Sequence, residues 1–325
     1  MKFLNQQGFI PVTIIIVIAV ISAAVIYEST HGKITNITKK QASLVTQPTS
    51  TPSPTTTPTS LPTPTPAPTS IPTPKSTATP TPSVAPQPVS NNNPPGSGYS
   101  YQNVSADGQT FPVSIIAADM NSTKVIVDTA SDSDCANNCP ILPLADYVSR
   151  NGAWAGINGS FFCPAEYPSC AGKTNSFDTL LMNKNKHYFN SDNNVYSTIP
   201  AAIFSPGSAR FVSRSLEWGR DTGIDSVIAN YPLLVAGGNI AYSEAPNEPK
   251  FGQKGPRGFI AAKGNMVYIG FVHNATMGES AQVMKALNMD SALNLDEGGS
   301  TALWYGGYKL GPGRGLPMAV LFVQR

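Results

Sequence analysis

Beyond about residue 99, apolar side chains fall into short runs of two kinds, which predict strands and helices in alternation. FPVSIIAADM (111–120) and KVIVDTA (124–130) alternate or run apolar with β-branched residues, and Asn121-Ser122 between them carries a turn signal, so they predict a hairpin. ILPLADYVSR (141–150) has helical spacing at Leu142, Leu144, Tyr147 and Val148, and a strand-like AWAGI then leads to Asn158. RGFIAA and NMVYIGFV (257–262 and 265–272) predict a second hairpin across Lys263-Gly264. Thr276-x-x-Glu279 is a capping-box pattern, followed by Ala281, Met284, Leu287 and Met289 among polar residues, which predicts a helix ending near Asp290. A short strand, ALNL, then delivers Asp296, and PMAVLFVQ (317–324) reads as a buried strand. Hairpins mixed with a few helices predict an α+β domain: a mixed β-sheet with several helices over residues 99–325.

The first third of the 325-residue chain follows another pattern. No charged residue occurs from Phe3 to Tyr27, a run long enough to cross a bilayer core of roughly 30 Å. Residues 1–30 therefore predict a single transmembrane anchor, with a cleaved signal peptide as the competing reading because Ser22 and Ala24 offer small residues for cleavage. A prepilin-like start at Gly8-Phe9 is disfavoured by Thr13, which stands where that motif has glutamate. Residues 31–98 read as a linker. Of its 42 residues from Gln47 to Pro88, 14 are proline, only Lys75 is charged, and too little apolar area exists to offset the entropy of ordering. Such a stalk is expected to be disordered but stiff, and would reach on the order of 100 Å in polyproline II form. This arrangement predicts a single-pass protein of the cell membrane that displays its last domain outside the cytoplasm.

Composition refines that picture. A net charge of +2 without a basic stripe in the last domain argues against a nucleic-acid partner. The four cysteines, Cys135, Cys139, Cys163 and Cys170, all lie in that domain, and their even number suits disulfides in an oxidising space. Four cysteines permit three pairings, of which the two local ones are simplest. Zinc is the competing reading, though the gaps are not two-residue knuckles and no histidine is close. His187 and His273 stand apart from other ligand-like residues, which disfavours a histidine triad or metal centre.

Three stretches carry candidate chemistry. In AGINGSFF, Asn158-Gly159-Ser160 turns sharply after a strand, so Asn158 would place an amide and Gly159 would let backbone approach a ligand. An Asn-Gly hairpin turn is the plain alternative. In KGPRGFIAAKG, Arg257 at the mouth of a strand suits bidentate binding of phosphate or carboxylate, or is simply solvated. In NLDEGGST, Asp296 and Glu297 end a strand and run into Gly298, Gly299, Ser300 and Thr301. That is how many sites present a base or nucleophile beside open backbone amides, and also how a glycine turn looks. GPGRG (311–315) lacks the following helix of a phosphate loop and is set aside.

In this order and spacing, a strand into N-G-S-F-F, a P-R hairpin, an amphipathic helix and NLDEGGST, the series resembles the phosphodiester glycosidase family. The likeness runs from about Phe111 to Gln324 and rests most on GINGSFF and ALNLDEGGST. Two positions depart: Glu297 stands where the family has glycine after the aspartate, and Gly258 where threonine is common after Pro-Arg. The resemblance implies a hydrolase that cleaves between a sugar's anomeric carbon and a phosphodiester, acting on a glycan phosphodiester of an envelope or exopolysaccharide. Asp296 would then be base or nucleophile and Arg257 the phosphate clamp. Asn158, Ser160, Ser300 and Thr301 would orient sugar or phosphate oxygens, Gly159, Gly298 and Gly299 would admit the ligand, and Glu297 would supply a second carboxylate. No cofactor is implied with certainty. A divalent cation is compatible with the Asp and Asn content, but no ligand constellation stands out. Two rival functions remain, a stalked glycan-binding module and a metal-dependent phosphodiesterase. Trp154, Trp218 and Trp304 bear on the first, because sugar-binding modules present exposed aromatic platforms.

Overall fold

The computed structural model describes residues 90–190, 198–243 and 248–325. The expected anchor, and the expected linker up to residue 89, lie outside the described residues. The last residues of that linker segment are tied to the domain: Asn91 N–H donates to Asn103 O at 2.7 Å, and the Gln102 side chain donates to Asn91 O and Asn93 O.

Seventeen strands and two α-helices occupy the described residues. In chain order the strands are β1 (Gly98–Ala106), β2 (Gln109–Asp119), β3 (Thr123–Thr129), β4 (Ala155–Asn158), β5 (Leu181–Met182), β6 (Tyr188–Phe189), β7 (Ala201–Ser205), β8 (Ser208–Val212) and β9 (Ser226–Ala229). They continue with β10 (Leu233–Ala236), β11 (Asn239–Ile240), β12 (Gly255–Lys263), β13 (Met266–Ala275), β14 (Ser291–Asn294), β15 (Leu303–Tyr305), β16 (Tyr308–Leu310) and β17 (Met318–Gln324). Helix α1 spans Leu144–Asn151 and α2 spans Met277–Ala286. The strands form a seven-stranded sheet in the order β1-β2-β13-β12-β14-β10-β11 and two five-stranded sheets, β16-β15-β4-β17-β3 and β6-β5-β9-β7-β8. All the pairings are antiparallel, and strands outweigh helices more than the sequence reading expected.

The seven-stranded sheet is covered on both faces, which explains why its strands read as nearly unbroken apolar runs. Along β13, Val267, Ile269 and Phe271 join one core with β3, β4, β17 and α1. Tyr268 and Val272 point the other way, into a second core built with α2. Two-residue alternation places both sets without a polar face. A third core packs Trp218 and Ile224 against the β6-β5-β9-β7-β8 sheet.

The hairpin expected from β2 and β3 does not form. β2 pairs with β1 and β13, whereas β3 pairs with β17 in another sheet, so the turn at Asn121-Ser122 passes the chain between layers. The real hairpin is one strand earlier, at Asp107 (φ 48°) and Gly108 (φ 72°), the backbone that an Asp-Gly two-residue turn adopts. The β12–β13 hairpin forms as expected, with Lys263 opposite Met266. Helix α1 begins at Leu144 and not before, because Pro143 holds its predecessor extended; Leu142 bridges to Leu316 instead. In α2 the Thr276 hydroxyl accepts from Glu279 N–H at 3.2 Å, and the Glu279 carboxylate accepts from Thr276 N–H at 2.7 Å. That helix stops at Ala286, earlier than expected, and Asn288 takes a left-handed φ of 56° after it.

Candidate active site

β4 and β14 end side by side and place the residues of NGSFF and NLDEGGST against each other. Asp296 N–H donates to Gly159 O at 2.9 Å, and the Asn158 amide donates to Asp296 O at 2.7 Å. The Asn158 side-chain oxygen accepts from Ala302 N–H at 3.1 Å, while Asn158 N–H donates to Ala302 O at 3.2 Å. One buried asparagine therefore holds both ends of the 296–302 loop. Both Asn158 side-chain groups, which the sequence reading offers to a substrate, bond to backbone within the protein. Gly159 and Ser160 are likewise packed inside. A side chain on Gly159 would overlap Met318, so this glycine serves a close protein contact. The stretch is no hairpin turn either. Phe162 enters the first core, and Phe161, partly buried, packs against the second core and Tyr231, ring centroids 5.0 Å apart.

Beside this junction opens a cleft of about 540 Å³, whose lining includes Asp296, Glu297, Gly298 and Ser300. Asp296 is partly buried there. Burial pushes its carboxyl up to about 7, against hydrogen bonds from the Ser300 hydroxyl and the Glu297 amide (2.8 Å); the neighbouring Glu297 charge adds to the rise and Arg314 opposes it. Gly298 takes a left-handed φ of 62° to start the short 3₁₀ turn Gly298–Ser300. Burial also raises Glu297, opposed by the Arg257 guanidinium with which it pairs. Its other oxygen, Oε2, is buried without a partner among the described residues, as is the Thr301 hydroxyl.

Arg257 lines the cleft, but its guanidinium is spent on the protein. Nε donates to Ala275 O at 2.9 Å, Nη2 to Lys250 O at 2.9 Å and to Gln253 O, and Nη1 to Glu297. A buried arginine so committed braces the 250–253 turn and Glu297, at the position where the sequence reading expects a phosphate clamp. Sequence spacing could not reveal this, because its acceptors lie 4 to 40 residues away.

The structure adds residues that no motif pointed to: Tyr167, Asp178, Tyr231, Lys250 and Arg314 also line the cleft. Burial raises the Asp178 carboxyl, opposed by Lys173. Burial raises the Tyr231 hydroxyl too, and the charges of Glu248, Asp178 and Asp296 add to it, so these acids surround one ring. Arg314 comes from GPGRG, set aside above for want of a helix; its arginine, not its loop shape, was the signal. Arg314 N–H donates to Gly299 O at 2.8 Å, and a side chain on Gly299 would overlap the Arg314 guanidinium. Gly299 thus makes room for a cation of the protein.

Both local disulfides form, Cys135–Cys139 and Cys163–Cys170, and the second lies on the cleft wall. The first braces the second, since Cys139 N–H donates to Thr174 O at 3.1 Å and Thr174 N–H to the Asn137 side chain at 2.8 Å. No tryptophan lines the cleft: Trp154 packs on Phe322, Trp218 on Tyr188 and Trp304 on Tyr308. Among the described residues no group of three or more His, Cys, Asp or Glu is arranged to hold a metal ion, and no helix is long and apolar enough to cross a membrane.

Comparison with known proteins agrees with this geometry. The phosphodiester glycosidase family model matches residues 151–323, more than half of the chain and every residue that lines the cleft. The structure is similar to the catalytic domain of zebrafish N-acetylglucosamine-1-phosphodiester alpha-N-acetylglucosaminidase, described as auto-inhibited by its pro-peptide. That likeness has a TM-score of 0.56 at 16% identity and covers 74% of this chain and 87% of that one. It is also similar to a hypothetical protein from Synechocystis, with a TM-score of 0.55 at 14% identity over 70% of this chain and 62% of that chain. At such identities these likenesses speak for the fold. A comparison with curated proteins gave no match.

Proposed function

We propose that this chain, which belongs to the phosphodiester glycosidase family, hydrolyses a sugar-1-phosphodiester by breaking the bond between the anomeric carbon and the phosphate oxygen. The observation that carries the reading is Asp296: a carboxyl brought to about 7 by burial, held by backbone on both sides, at the floor of a cleft that also holds arginine and lysine. A phosphodiester oxygen leaves readily as a phosphomonoester, so proton donation to the leaving group matters less than activation of water. Ionised Asp296 takes the proton of a water whose oxygen bonds to the anomeric carbon, and the electron pair of the broken C–O bond leaves with the phosphate. A carboxylate titrating near neutrality is matched to that task. Phe161 and Tyr231 supply the apolar and aromatic wall against which a sugar ring packs. The two disulfides support placing the domain in an oxidising compartment outside the cytoplasm.

Incubation with a panel of sugar-1-phosphodiesters in ¹⁸O-water tests the reading. Free sugar carrying ¹⁸O, together with an unlabelled phosphomonoester, is expected. Label in the phosphate, release of sugar-1-phosphate, or binding without turnover would each overturn it, the last in favour of a glycan-binding module.

A further inference from the structure

Arg257 is paired with Glu297 and bonded to three carbonyls, so it has little to offer a substrate anion. Another pair of cations in the same cleft is differently placed. The Lys250 ammonium sits 4.7 Å from the centroid of the Tyr167 ring, and the Arg314 guanidinium carbon sits 5.6 Å from the same centroid. Tyr167 is 42% exposed, on the loop closed by Cys163–Cys170. Three separate segments therefore bring two positive charges around one ring.

Beyond longer-range attraction of Arg314 to Asp296 and of Lys250 to Glu297, the one direct ion pair either makes among the described residues is with Glu166, 3.2 Å from Arg314 Nη1, with a side chain 61% exposed. An ion pair so open to water is weak and readily exchanged. Arg314 Nε is buried and has no partner, although an arginine inside a protein is ordinarily hydrogen-bonded through its fork. The Nε–Nη2 edge is turned toward Gly299, so the guanidinium meets a ligand through Nη1, the nitrogen that Glu166 now holds. Arg314, from the GPGRG segment, packs against the Gly298–Ser300 turn that follows Asp296, in the space left by Gly299, so an anion it holds is next to the reacting bond.

We propose that Tyr167, Lys250 and Arg314 form the subsite that receives the phosphate group, with Glu166 as the counter-ion that a phosphate displaces. The assignment rests on the reading of the cleft as a phosphodiester glycosidase site. Arg257, in contrast, positions Glu297 and the 250–253 turn.

The test uses the whole chain, titrated calorimetrically with inorganic phosphate and assayed kinetically on a sugar-1-phosphodiester, with melting temperatures as a check on folding. Arg314→Gln is expected to weaken phosphate binding and lower kcat/KM by about tenfold or more, with Arg314→Lys restoring part of each. Glu166→Gln is expected to tighten phosphate binding by about twofold to threefold, a gain that a merely structural ion pair would not produce. Unchanged phosphate affinity in both Arg314→Gln and Glu166→Gln would overturn the subsite. So would Arg314-dependent phosphate binding alongside an unaltered kcat/KM, since the site would then bind free phosphate and not the substrate. If no phosphodiester is turned over while both variants shift phosphate affinity as stated, the glycosidase reading fails and the anion subsite stands.

Discussion

Asp296 is costly to the fold in the form that the chemistry needs. Its carboxyl titrates near 3.8 when solvated and about 7 in the fold, so over that interval the unfolded chain is ionised while the native state is still protonated. Stability contributed by the neutral form is present at low pH and is lost as pH rises through about 7, a loss on the order of 2–4 kcal/mol. Asp296→Asn is accordingly expected to raise the melting temperature at pH 8, with the difference shrinking toward pH 4, while turnover falls by roughly 10²–10⁴-fold. In the parent chain kcat/KM should climb as pH passes through about 7, the value set by burial, and that rising limb should disappear in the variant. Gly299→Ala makes a second residue-scale test: its methyl group would displace the Arg314 guanidinium, so its phosphate affinity should resemble that of Arg314→Gln, read by calorimetry. Asp296 was readable in NLDEGGST because a carboxylate before two glycines at a strand end is visible locally. The role of Gly299 was not, since the atom it makes room for lies fifteen residues on.

At the scale of elements, local signals worked where the partner was close in sequence. The capping box of α2 was legible because donor and acceptor are three residues apart, and Thr276→Ala should cost about 1 kcal/mol in denaturant unfolding. The β12–β13 hairpin was legible for the same reason. The β2–β3 hairpin was misread because two apolar strands joined by a short turn look alike whether they pair or diverge into different sheets. Asn158 shows the same limit from the other direction. Its motif was recognised, but its partners, Asp296 and Ala302, are 138 and 144 residues away. Asn158→Ala is expected to loosen the 296–302 loop, seen as faster amide exchange there and a loss of kcat without a matching loss of phosphate affinity.

At the scale of the molecule, the cleft draws on several separated stretches: the two phenylalanines after β4, the disulfide loop that follows, Tyr231 before β10, the turn before β12, the loop after β14 and the GPGRG segment. In the Cys163–Cys170 loop both cysteines are buried, whereas Tyr167 is exposed and has cations for neighbours. Replacing both Cys163 and Cys170 by serine should raise KM several-fold for a charged phosphodiester, because the ring beneath Lys250 and Arg314 loses its tether; circular dichroism should show the strands intact. The family resemblance was readable from motif order alone, and so was a domain rich in hairpins with a capped helix. Those features depend on short spacings and two-residue alternation, which a linear chain displays directly. Which cation is bonded to carbonyls and which is open to a ligand was decided only when distant strands met. Burial, and with it the titration of Asp296 and the commitment of Arg257, is a property of three-dimensional neighbours that sequence order does not encode locally.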